Sequence, residues 1–154
     1  MTSIDYRQAV KEDVSQLQEL LDYFAENGLI LQRKDVEQNY ESFWVAHDGE
    51  QVVGCCGQRI YENGSQKAEI CSLCVREEYQ GHGIGSALVG NVLADLETNP
   101  DVELIFAFTR AGPMLEKLGF EMTKRERFPE KIMAFCNECP HYSNCDEQAW
   151  EYVL

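Results

Sequence analysis

The chain is poor in positive charge. Its 154 residues hold 13 Lys and Arg against 27 Asp and Glu, a formal net charge of −14. Nucleic acid and anionic membrane surfaces are held by clustered cations, so neither is an expected partner. No apolar run approaches the roughly 18 residues that a membrane-spanning helix needs. The opening Met1-Thr2-Ser3-Ile4-Asp5 has no basic block leading into an apolar one. No secretion signal is therefore expected, and the expected compartment is the cytosol. Repeats, low-complexity runs and linkers are missing, so a single domain over residues 1–154 is expected, with residues 125–154 as a cysteine-containing C-terminal extension.

Apolar residues make up 44% of the chain and charged ones 26%, as in a globular protein with a sizeable core. Seven cysteines are many for this length. In a reducing compartment they read as buried apolar residues, metal ligands or redox groups rather than disulfides.

The most informative stretch is Tyr79-Gln80-Gly81-His82-Gly83-Ile84-Gly85-Ser86-Ala87-Leu88. It follows the apolar run Ile70 to Val75, read as a buried strand. It leads into Ile84, Leu88, Val92 and Leu96, whose spacing of four marks one face of a helix. Three glycines at a strand-to-helix turn free backbone N–H groups for a ligand. The helix start adds orphan donors and a positive dipole end, which together suit a phosphate. A dinucleotide fingerprint needs G-x-G-x-x-G and a P-loop needs Lys-Ser/Thr after the last glycine, and this stretch fits neither.

Along the chain, Ser3 to Val10 reads as a strand. Asp13 is expected to cap a helix carrying Val14, Leu17, Leu20, Leu21 and Phe24, ended by Asn27-Gly28. A short helix is expected over Asp35 to Tyr40. Strands are expected over Phe43 to His47, Gln51 to Tyr61 and Lys67 to Val75, with turns at Asp48-Gly49 and Asn63-Gly64. The helix Gly83 to Glu97 precedes a near-continuous apolar strand, Val102 to Thr109, and then Met114 to Phe120 reads as a short helix, a glycine cap and a strand start.

The pattern Gln80-x-x-Gly83-x-Gly85, the stretches LCVREEYQGHGIGSAL and MLEKLGF, and the order β-α-α-β-β-β-α-β-α-β resemble the GNAT acetyltransferases over roughly residues 3–122. The resemblance implies an α/β fold, the GNAT fold: a mixed central sheet with splayed middle strands and flanking helices. It also implies acetyl-CoA as co-substrate. Main-chain groups of Leu73, Cys74 and Val75 would bond its pantetheine arm. Backbone N–H groups of Gly81, His82, Gly83, Ile84, Gly85 and Ser86 would hold its pyrophosphate, with Gln80 at the loop entrance.

Three further stretches, GLILQRKDVEQNYESFWVAHDGEQVVGC, KAEICSLCV and FPEKIMAFCNECPHYSNCDE, resemble short, stand-alone bacterial N-acetylglutamate synthases. By that resemblance the acceptor is the α-amino group of L-glutamate, in the first step of arginine biosynthesis, and Glu69 is the general base. Amine attack on a thioester needs a neutral nitrogen, hence a base. A substrate with two carboxylates needs cations, and Arg33 and Arg110 match basic positions of the family, with Lys131 a further candidate. Many GNAT enzymes carry a Tyr where this chain has Leu115, so the proton for the leaving thiolate has no assigned source. Another amino acid or a polyamine, which the acidic composition suits, is the alternative acceptor. A non-catalytic acyl-CoA-binding module is the reading that Leu115 favours. The expected partner is a small molecule, and a homodimer is left open.

Cys136-x-x-Cys139 with Cys145 has the close spacing of a metal knuckle. A structural zinc on these three would need a fourth ligand, with His141, Asp146 or another cysteine as candidates. An iron–sulfur cluster and a metal-free tail are the other readings.

Overall fold

The computed structural model describes residues 3–61, 66–129, 131 and 147–154. Seven strands are hydrogen-bonded in the order β1-β2-β3-β4-β5-β7-β6. They are β1 Ile4–Gln8, β2 Phe43–Asp48, β3 Gln51–Tyr61, β4 Lys67–Val75, β5 Leu104–Thr109, β6 Glu121–Thr123 and β7 Gln148–Val153. The helices are α1 Val14–Glu26, α2 Val36–Asn39, α3 Ile84–Glu97 and α4 Gly112–Lys117. β4 and β5 run parallel, whereas β1 with β2, β2 with β3, and β7 with both β5 and β6 run antiparallel, which is the expected mixed sheet. Among the described residues no helix is long and apolar enough to cross a membrane. The Asn63-Gly64 turn lies outside them.

The chain divides into two compact units. The first joins Met1–Arg59 to Ile70–Asp95. Its core is the α1 stripe of Leu17, Leu20, Leu21 and Phe24, packed with Val36, Phe43, Val45, Val52, Cys55 and Cys74. The stripe at helical spacing is thus core, and Gly28, at φ 71°, ends the helix where Asn27-Gly28 predicts.

Asp13 departs from expectation. It makes no side-chain cap on α1. Its carboxylate instead accepts from Arg7 (2.6 and 3.0 Å) and from the Val10 amide (2.8 Å), while His47 Nε2 lies 3.2 Å from it. The charged partners win because a guanidinium bonds a carboxylate more strongly than a backbone amide does. Burial by itself would push the Asp13 carboxyl up, but the bonds from Arg7, the Val10 amide and His47 outweigh it and hold the group below its ordinary value. Asp13 is therefore ionised more readily in the fold than in the unfolded chain. Its stabilisation is complete above the unfolded pKa of about 4 and is lost as pH falls through the lower folded value. Asp13→Asn is expected to cost about 2 kcal/mol at pH 7, below the usual figure for a broken buried pair because Arg7 is half exposed. Urea midpoints of both proteins should converge as pH falls below 4; parallel acid limbs would remove Asp13 from this role.

The second unit joins Ile60–Glu69 to Leu96–Leu154. Here Lys67, Ala68 and Glu69 of β4 pair with Leu104, Ile105 and Phe106 of β5. β7 pairs with the whole of β5, from Leu104↔Val153 to Thr109↔Gln148, and carries β6 on its other edge. Residues 148–153 are therefore built into the sheet. Phe106, Phe108, Phe128 and Ala149 form the core, with Phe106 and Phe128 stacked at 4.1 Å.

Candidate active site

In the first unit, β4 ends at Val75 and the chain turns through residues 76–83 into α3. Arg76 ties this turn to β3, donating N to Val53 O and Nε to Val52 O. Gln80 Nε2 donates to Val75 O at 2.9 Å, so the loop entrance is fastened to the end of the strand. Gly81 and Gly83 both sit at φ 81°, exposed, with no atom within 4 Å of where a Cβ would stand. Positive φ at both needs glycine, and the empty space above them leaves room for an anion at the first turn of α3. These glycines lie in the stretch read as the pyrophosphate loop.

Two residues upstream of Cys74 and still in this unit, Ser72 has φ 54°, rare for a non-glycine residue. Arg33 Nη1 donates to Ser72 Oγ at 2.9 Å and Cys55 Sγ to Ser72 O at 3.4 Å, so the irregularity is held from both sides. Arg33 is 4% exposed and stacks 4.9 Å over the Phe43 ring. Its Nε and Nη2 already fork onto Asp35 at 3.0 and 3.2 Å. The Arg33 bond in turn holds the Asp35 carboxyl below its ordinary value. The neighbouring thiols behave as buried apolar groups: a hydrogen bond with Cys55, then burial, raises Cys74, and burial raises Cys56. Among the described residues no group of His, Cys, Asp and Glu could hold a metal ion. Cys136, Cys139 and Cys145 lie outside them.

In the second unit, Glu69 is 1% exposed. A buried carboxylate must be partnered, and this one is: Tyr61 donates its hydroxyl to Oε1 at 2.7 Å and Lys131 Nζ lies 2.6 Å from Oε2. Around the pair stand Phe108, over which Lys131 and Arg125 lie at 5.7 and 5.0 Å, and the ion pair of Arg110 with Glu147 at 3.7 Å. Glu147 is pushed up, by burial first and also by Glu69, against the opposing pull of Arg110, Lys131 and Arg125. This cluster thus has one deeply buried carboxylate, Glu69, paired with Lys131, and two further cations, Arg110 and Arg125, set against Glu147 and Phe108. At position 115 the Leu side chain is buried, so no proton donor stands there.

Sequence reading singled out Glu69, Arg33, Arg110 and Lys131; it did not single out Tyr61, Arg125 and Glu147, which lie in the cluster around Glu69 and Lys131. Glu69 is paired with Lys131, which is 62 residues away and leaves no local pattern.

Residues 7–120 match the family model for acetyltransferases of the GNAT family. An uncharacterised N-acetyltransferase of Chlorobaculum tepidum is 33% identical over 150 residues, 96% of this chain and 95% of that protein. An amino-acid acetyltransferase of Mycobacterium tuberculosis is 30% identical over 142 residues, 88% of this chain and 78% of that one. Among solved structures, N-acetylglutamate synthase from Neisseria gonorrhoeae, complexed with coenzyme A and N-acetyl-glutamate, shares the fold at TM-score 0.81 and 19% identity. All of this chain is covered there, and it spans 36% of the Neisseria chain.

Proposed function

The chain belongs to the GNAT acetyltransferase family, and we propose that it transfers the acetyl group of acetyl-CoA to the α-amino group of a small amino acid, with L-glutamate as the first candidate. The observation that carries this reading is the buried Glu69 carboxylate, held at one oxygen by Tyr61 and at the other by Lys131. The relatives support an amino-acid acceptor: the Mycobacterium protein is an amino-acid acetyltransferase, and the Neisseria structure holds N-acetyl-glutamate.

In this reading Glu69 takes a proton from the acceptor ammonium and frees its lone pair. The nitrogen then bonds the thioester carbonyl carbon, and a main-chain N–H near Val75 steadies the oxyanion. As the C–S bond breaks, the sulfur leaves as a thiolate, tolerable without a donor at Leu115 because thiol pKa values lie only about 1–2 units above neutral. Gly81 to Ser86 hold the pyrophosphate, with Gln80 fixing the loop. Main-chain groups of Leu73, Cys74 and Val75 bond the pantetheine arm. Arg110 is the proposed contact for an acceptor carboxylate. Arg33 serves that role only by exchange, since a substrate carboxylate would have to replace Asp35 on its fork. If glutamate is the acceptor, the reaction opens arginine biosynthesis.

The net charge of −14 favours a cationic acceptor instead, which keeps polyamines as the second reading. Thiol release from acetyl-CoA, measured across the amino acids and polyamines, decides between them. The reading expects glutamate or a close analogue to give the highest kcat/KM. Turnover on spermidine alone would replace it, and acetyl-CoA binding without turnover on any amine would make the chain a binding module.

A further inference from the structure

We propose that Lys131 is an internal acyl acceptor: with acetyl-CoA and no competing amine, the protein acetylates its own Lys131 Nζ. The inference rests on Glu69 acting as the base. An acceptor has to present an ammonium to the base within hydrogen-bond reach and lose a proton to it. Lys131 already does this, with Nζ 2.6 Å from Glu69 Oε2 and its side chain 12% exposed. The other carboxylate oxygen is taken by the Tyr61 hydroxyl, so the lysine stands where an external amine has to arrive. A guanidinium would pair with a buried carboxylate through two bonds and could not be acylated under these conditions. The chain places an acylable primary amine there instead.

The step balances. Glu69 takes one proton from the ammonium and passes it to water. The nitrogen lone pair forms a bond to the thioester carbonyl carbon, and the C–S electron pair leaves with the sulfur. A second proton leaves the nitrogen as the amide forms, and the thiolate takes up one proton to give CoA. The product is a neutral acetyl-lysine beside Glu69, which removes the cation from the pair and fills the acceptor's place with an amide. Modified protein is then blocked toward added amines until the residue swings away from the base.

The test is peptide mass spectrometry of the full chain incubated with acetyl-CoA alone. The expected result is a single acetyl group on Lys131, incorporated at least ~10²-fold more slowly in Glu69→Gln, which should still bind acetyl-CoA by calorimetry. Lys131→Arg, which keeps a cation on Glu69, should stay unlabelled. An unmodified Lys131, equal labelling in Glu69→Gln, or acetyl groups scattered over the exposed lysines would overturn the proposal. If Glu69→Gln fails to bind acetyl-CoA, Tyr61→Phe takes its place. It removes only the hydroxyl donated to Glu69 and so leaves a more basic carboxylate, and labelling of Lys131 should not slow; a rate lower by ~10-fold overturns the proposal. Glu69-dependent acetylation of an added amino acid with Lys131 left bare would sink this inference and leave the proposed function standing. No acetylation of either would sink both.

Discussion

Glu69→Gln should slow acetyl transfer to an added amine by ~10²–10⁴-fold while leaving acetyl-CoA binding intact. The size follows from the chemistry: an ammonium has no lone pair, and a carboxamide cannot accept its proton at neutral pH. The separation of effects follows from the fold, because the loop from Gln80 to Ser86 is built by β4, β3 and the start of α3, without Glu69. A confounding cost must be measured beside it. Removing the charge takes away the carboxylate nearest Lys131, and breaking a buried pair from one side destabilises by about 3–5 kcal/mol in comparable cases. Thiol release at saturating acetyl-CoA, calorimetric titration of acetyl-CoA and a denaturation curve on the same preparation keep the two effects apart. Full turnover in a folded variant would take the base role away from Glu69.

Gly112→Ala is expected to lower stability even though it puts alanine into a helix. Alanine at a helical position normally gains about 1 kcal/mol over glycine. Here its Cβ would stand 2.8 Å from Trp150 Cε2 and closer still to Cζ2, against a ring that is 5% exposed. Trp150 cannot simply yield, because its strand is pinned on both sides, opposite Ala107 of β5 and Met122 of β6. Overpacking of this kind costs about 1–3 kcal/mol and occasionally more, so the clash should outweigh the helix gain by about 1 kcal/mol, with altered tryptophan emission. A denaturation midpoint equal to that of the parent chain would mean that the ring does not rest on this backbone.

What the sequence made legible was local. The spans Gln51–Tyr61 and Lys67–Val75 appear with the bounds that alternation and turn residues predict. Glycines at 28, 83 and 119 lie where the backbone turns left-handed. The apolar strand expected from Val102 begins at Leu104, because Val102 N bonds back to Asn99 O and the chain is still turning there. β7 was not legible. Six residues, Gln148 to Val153, follow a cysteine-rich stretch, and strand preference is set chiefly by neighbours that here lie far away in sequence. The ion pairs fail to show for the same reason. Asp13 has the spacing of a helix cap and is drawn off by Arg7 and His47; Arg33 has the look of a free cation and is held by Asp35 and Ser72.

β5 carries a consequence for synthesis. Its antiparallel neighbour is made later: Leu104 meets Val153, and Thr109 meets Gln148. Until residues 148–153 have been made, β5 can pair with β4 on one edge and has no partner on the other. β6 waits as well, since its partner is that same late segment. This unit therefore closes only after translation has passed β7, and an exposed β edge during that interval is a natural target for a holding chaperone.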